Sequence, residues 1–104
     1  YEAEAVLFAI GREPNVEGLG LDEVGVVLRN GAIRVDSSYA TSVPTVHAVG
    51  DVIGRLQLTP VALAEAMVVV DQMFGDGRRR MDYELVPTAV FTHPAIGTVG
   101  LTEA

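Results

Sequence analysis

Apolar residues in this chain come in short blocks separated by glycine, proline and polar clusters, and the spacing within each block points to an element. Ala5-Val6-Leu7-Phe8-Ala9-Ile10 is an unbroken apolar run, the pattern of a strand covered on both faces in a parallel sheet. At the far end, Thr98-Val99-Gly100-Leu101-Thr102 reads as a strand just beginning. Unpaired edges of buried strands are costly. Both ends therefore read as cut from a longer chain, as does the lack of an initiating Met. The outer strands of a small sandwich are the alternative reading.

Between these ends the turn residues are clear. Gly11-Arg12-Glu13-Pro14-Asn15 closes the first strand with breakers. Leu19 to Val26 is interrupted by Gly20 and Gly25 and predicts at most one helical turn. Val26-Val27-Leu28 and Ala32-Ile33-Arg34-Val35 flank Asn30-Gly31, which supplies the positive φ angles of a tight hairpin turn. Ser37 to Thr45 is polar loop, and Val46-His47-Ala48-Val49 is a short strand ending on Gly50-Asp51. A helix follows, with Thr59 as expected N-cap, Pro60 at the first helical position, apolar residues from Val61 to Phe74, and Gly75 as stop. Its polar residues are confined to Glu65, Asp71 and Gln72, so burial nearly all round is expected. Gly75 to Asp82 is a polar linker, and Pro87 to Thr92 starts a new strand.

Composition narrows the function classes. The chain has 104 residues, about half of them hydrophobic, which suits roughly one domain with a buried core. Its formal charge is −7, and every cation is Arg. Nucleic-acid binding needs clustered cations, and Arg78-Arg79-Arg80 is too short a run to supply them, so no nucleic-acid partner is expected. No apolar run approaches the roughly 20 residues that span a bilayer, and Tyr1-Glu2-Ala3-Glu4 is no signal-peptide start. Without Cys the chain holds no disulfide, thiolate metal site or redox dithiol.

Catalytic material is scarce. His47 sits within a strand, where a packed, hydrogen-bonded role is expected, and His93 precedes Pro94 in an extended segment. The two make no recognisable metal site, and no nucleophile–base pair stands out, so no catalytic residue is assigned and the chain by itself is not read as an enzyme. Gly50-Asp51 is better placed, because ligands of open α/β sheets bind beyond the carboxyl ends of strands. A carboxylate there can accept from sugar-type hydroxyls; an ordinary turn dipeptide is the competing reading. The helix start at Leu58-Thr59-Pro60 favours negative charge through free amides and the macrodipole, although a plain capped core helix would look the same. Together, a hydroxyl-seeking Asp and an anion-favouring helix end suit a flavin, which carries a polyol chain and becomes anionic on reduction.

Four segments in order then carry a resemblance. Ala9-Ile10-Gly11-Arg12-Glu13-Pro14-Asn15 is followed by Thr41-Ser42-Val43-Pro44-Thr45-Val46-His47-Ala48-Val49-Gly50-Asp51, by Leu58-Thr59-Pro60-Val61-Ala62, and by the run from Val90 through His93-Pro94-Ala95-Ile96-Gly97-Thr98-Val99-Gly100 to Glu103. Over essentially its whole length the chain resembles the pyridine nucleotide-disulfide oxidoreductases, most closely the glutathione and trypanothione reductase branch. Ala95 and Ala66 depart from that branch, which commonly has Pro and Gly there.

The resemblance implies an α/β fragment of a two-dinucleotide-domain FAD/NAD(P)-binding flavoprotein, with the first strand of an α+β dimerisation domain. Residues 1–13 would end the NADPH-binding domain, 14–83 form the central, FAD-contacting domain, and 84–104 begin the dimerisation domain. Ile10, Gly11 and Arg12 match the strand end facing NADPH. Asp51 matches the carboxylate on the FAD ribityl chain, with Gly50 allowing close backbone approach. Gln57, Leu58 and Thr59 match the segment at the flavin pyrimidine edge, and Gln57 and the Ala89 backbone would lie near the nicotinamide. The parent would be a cytoplasmic homodimer moving electrons from NADPH through FAD and a Cys pair, absent here, to a small disulfide such as glutathione disulfide. The trypanothione, dihydrolipoamide and mercuric reductases are alternatives within the superfamily, and a non-catalytic acidic binding module is the alternative outside it.

Overall fold

The computed structural model describes residues 2–101; residue 1 and residues 102–104 lie outside it, and the strand expected from Thr98 to Thr102 is not formed over its described residues Val99 to Leu101, since the last strand ends at Thr98. The first regular element, α1 (Leu21–Val24), is a single turn. Gly20 and Gly25 bracket it, both left-handed, so the interrupting glycines limit it as the pattern predicts. Next come β1 (Leu28–Arg29) and β2 (Ala32–Ile33), paired antiparallel with Leu28 opposite Ile33. Asn30 and Gly31 turn the hairpin with φ of 52° and 77°, the doubly left-handed geometry the Asn-Gly pair predicts. The Ser42 hydroxyl stitches the hairpin to the following loop, accepting from the Val27 amide and donating to the Gly25 carbonyl.

That loop is organised by Asp36. One of its carboxylate oxygens accepts from the Ser38 amide, the Ser38 hydroxyl and the Ala40 amide at 2.8–3.0 Å. The Ser38 hydroxyl bond, then the Ser38 amide, hold the Asp36 carboxyl below its ordinary value of 3.8. A lowered folded-state pKa contributes stability above the unfolded value, and that contribution is lost as pH falls through the folded one. The destabilisation caused by Asp36→Ala, followed by urea unfolding, is therefore expected to be full at neutral pH and to shrink below pH 3.8.

The expected strand Val46–Val49 reduces to one antiparallel bridge between His47 and Ala40. Val49 remains extended but leads directly into a 3-10 turn, Gly50–Ile53. His47 is half-buried, and its Nδ1 lacks the expected hydrogen bond among the described residues. The first apolar run departs further from expectation: residues 5–10 form no strand and are exposed throughout. A strand is defined by pairing, and no described strand runs beside this one.

The dominant element is α2 (Thr59–Phe74), sixteen residues long. The first ladder bond runs from the Ala62 amide to the Leu58 carbonyl (3.0 Å), so Leu58, not Thr59, takes the N-cap place. Pro60 lies in the first turn, where it has no ladder bond to lose. Gly75 ends the helix as expected, though in an extended rather than left-handed conformation. Burial all round does not hold: Val61, Glu65 and Val68 face inward, while Leu63, Met67, Val70 and Phe74 form an exposed apolar stripe.

The core is built from Val26, Ile33, Tyr39, Ala48, Ile53 and Val68, with partly buried residues from Val16 to Met81 packed around it. After α2, β3 (Thr88–Val90) and β4 (Ile96–Thr98) form a second antiparallel hairpin, exposed on both strands. The radius of gyration is 17.4 Å, against about 13 Å for a compact domain of this length. The excess comes from the exposed segments before residue 14 and after residue 83.

Candidate cofactor site

The 3-10 turn and the start of α2 lie side by side, and Gly50 sets their distance. Its φ is +75°, and a Cβ built on it would stand 3.1 Å from the Ala62 Cβ, so only glycine lets the turn sit this close to the helix. Asp51 follows as second residue of the turn, its side chain 38% exposed. One carboxylate oxygen, Oδ2, accepts from Arg12 Nη2 at 2.8 Å, joining two predicted site residues 39 positions apart. The pair is open to water and contributes little to stability. It does aim the carboxylate, and Oδ1 has no hydrogen-bond partner among the described residues.

The neighbouring helix end is open. The amides of Thr59 and Val61 precede the first ladder donor, Pro60 has none, and no side chain caps the end. Unmatched amides and the α2 macrodipole create positive potential there. An acceptor carboxylate beside a positive helix end can grip a molecule that carries both hydroxyl groups and a region of negative charge. The residues present, a carboxylate acceptor and free helix amides, could hold a polyol-bearing, anion-forming cofactor.

A group that composition and spacing left unnoticed supports the turn. Glu65 is fully buried on the inner face of α2. Its Oε2 accepts from the Gly50 amide and its Oε1 from the Tyr83 hydroxyl, each at 2.6 Å. Arg55 Nη1 donates to the same phenol oxygen (2.8 Å). Because the one phenolic proton of Tyr83 goes to Glu65, the Tyr39 hydroxyl donates to Tyr83 (2.9 Å). The Arg55 guanidinium lies over both rings, 5.0 Å from the Tyr83 centroid and 5.7 Å from that of Tyr39. Burial, and then the bond to Glu65, push the Tyr83 phenol well above its ordinary range, so it stays protonated and keeps donating. Tyr39 adopts φ +64°, a strained conformation for a large side chain, held by its buried ring. The signal for Glu65 was in the sequence: Val61, Glu65 and Val68 share the i, i+4, i+7 stripe. Nothing marked Tyr83, an aromatic just beyond the polar linker.

The structure brings together only part of the predicted set. Gly50, Asp51, Arg12 and the Gln57-Leu58-Thr59 entry to α2 are clustered around the turn and the helix start or tied to it directly. Ile10 and Gly11 are exposed and touch none of these elements through a hydrogen bond. Ala89 lies on β3, whose packing among the described elements is with β4 alone. His93 is exposed. No cluster of three metal-ligating side chains occurs among the described residues.

The chain is similar to known proteins along most of its length. The family model described as pyridine nucleotide-disulphide oxidoreductase matches residues 1–66. The chain is 48% identical to glutathione reductase of Schizosaccharomyces pombe, with 99% of the chain and 23% of the relative covered. It is 50% identical to trypanothione reductase of Trypanosoma congolense, covering 98% of the chain and 21% of the relative. It thus spans about a quarter or less of the length of these relatives. Among solved structures, the HOCl-induced flavoprotein disulfide reductase RclA of Escherichia coli superposes with a TM-score of 0.85 at 35% identity, over 91% of this chain and 22% of that one.

Proposed function

We infer that this chain, which belongs to the pyridine nucleotide-disulphide oxidoreductase family, is the FAD-holding central portion of an NADPH-dependent disulfide reductase. The observation that carries the reading is the turn bearing Asp51, packed through Gly50 against the first turn of the uncapped helix α2. In this reading Asp51 accepts from ribityl hydroxyls, and Gly50 keeps its backbone close to the ligand. Gln57, Leu58 and Thr59 present the helix end to the flavin pyrimidine edge, where the macrodipole favours added negative charge. The chemistry supplied by FAD is the relay of an electron pair from NADPH to a disulfide. Ile10, Gly11, Arg12, Gln57 and the Ala89 backbone belong to the NADPH side, and Arg12 links the two sides through its ion pair with Asp51.

The chain has no cysteine, so the dithiol that receives the electrons lies outside these residues in this scheme. The names of the relatives support glutathione disulfide as substrate. The exposure of residues before 14 and after 83 supports a division into the end of the NADPH domain (1–13), the central domain (14–83) and the start of a dimerisation domain (84–104). The whole enzyme is proposed to be a cytoplasmic homodimer. No helix described is long and apolar enough to cross a membrane.

The test is Asp51→Ala in the intact protein. Loss of one hydrogen bond to a bound hydroxyl is worth about 1–3 kcal/mol, or about five- to hundredfold in Kd. The ratio of flavin to protein absorbance after gel filtration should fall, and FAD retention should weaken more than NADPH affinity alters. Unchanged flavin content refutes the role of Asp51. The 104-residue polypeptide by itself is expected to retain no FAD on gel filtration and to oxidise no NADPH. A stoichiometric yellow complex from it alone contradicts the division of the site between these residues and others.

A further inference from the structure

We propose that Glu65 and Tyr83 are positioning residues for the cofactor turn: through the Gly50 amide they fix where Asp51 presents its carboxylate. The inference rests on the Asp51 reading above and goes beyond it to residues that would touch no cofactor atom.

Burial of a carboxyl group is costly unless both oxygens are hydrogen-bonded, and a valine at position 65 would fill an inward site of α2 as Val61 and Val68 do. Yet a fully buried glutamate stands there. Its bonds account for the choice. Oε2 takes the amide of Gly50 at 2.6 Å, one residue before Asp51. Oε1 is held by Tyr83, which is in turn held by Arg55 and Tyr39. Every group facing the carboxyl is thus a donor or carries one. The glycine at position 50 has φ +75°, a conformation with alternatives open to a residue without Cβ. A strong acceptor on its amide selects one of them. The cluster ties five points of the chain, residues 39, 50, 55, 65 and 83, to one carboxyl group, and the only member adjacent to the cofactor residue is Gly50.

The experiment is a double-mutant cycle in the intact protein, with FAD affinity of the apoprotein read by flavin fluorescence and apoprotein thermal unfolding as second readout. Glu65→Ala is expected to weaken FAD about tenfold, the loss of one well-aimed hydrogen bond. In an Asp51→Ala background the same substitution should change the Kd less than about twofold, because the carboxylate it aims is gone. Glu65→Gln keeps an acceptor for Gly50 and should recover part of the loss. Tyr83→Phe, which removes only the hydroxyl, should weaken FAD in the wild-type background and not in Asp51→Ala, and it carries the test if Glu65→Ala does not fold. Equal weakening in both backgrounds means a general structural role and overturns the proposal, as does wild-type affinity in Glu65→Ala. Wild-type affinity in Asp51→Ala alone instead refutes the reading of Asp51 itself, so the two failures are separable.

Discussion

Gly50→Val is expected to be among the most destabilising single substitutions in this chain. Three costs coincide at one position. A left-handed conformation costs an ordinary residue about 1–2 kcal/mol, and a β-branched one more. The new Cβ would stand 3.1 Å from that of Ala62, so the turn must move off α2. Movement pulls the Gly50 amide from Glu65, and a buried group left unsatisfied costs about 1–3 kcal/mol. The sum is about 3 kcal/mol or more, read as a lower denaturation midpoint of the intact protein. Gly54→Ala, at the other end of the turn, should be costly for the same reasons, since its φ is +67° and its Cβ would meet that of Ala32 at 2.8 Å. Gly97→Ala has neither problem, with ordinary φ and nothing within 4 Å, and should fall within about 0.5 kcal/mol of wild type. Full stability in Gly50→Val would mean that the turn does not hold this conformation.

What could be read in the sequence follows from how local each signal is. The Asn30-Gly31 hairpin was legible because its turn geometry is a property of two residues. The extent of α2 was legible because Pro60 and Gly75 mark its ends. The strand over residues 5–10 was not, since an apolar run records a preference for burial and the partner that makes it a strand is not among the described elements. Val46–Val49 failed more narrowly, with one bridge where a ladder was expected.

The site divides in the same way. Asp51 drew attention by its place after an extended segment, and its pairing with Arg12 rests on a fold that brings residues 39 apart together. In the sequence Glu65 stands only as one of three polar residues in an apolar helix. Its position on the inward stripe carried the information, and that stripe is recognisable only when one face of the helix is distinguished from the other.

That distinction yields the second large effect, and it separates all-round burial of α2 from burial on one face. Val68 is 1% exposed and packs in the core, whereas Leu63 is 64% exposed. In the 104-residue chain, Val68→Asp places a carboxylate among Val26, Ile33 and Ile53 with no cation in that cluster. An uncompensated buried charge costs several kcal/mol, of the same order as the whole stability of a small domain. Cooperative unfolding and amide protection are expected to disappear. Leu63→Asp puts the same charge in water and should cost within about 0.5 kcal/mol. It should also reduce self-association, because Leu63, Met67, Val70 and Phe74 form one continuous apolar stripe of the kind that drives it. Circular dichroism and sedimentation of the two variants give the answer. Equal collapse of both would mean that α2 is enclosed on every side, as its composition alone suggested, and that the exposed stripe is not a face of this fold.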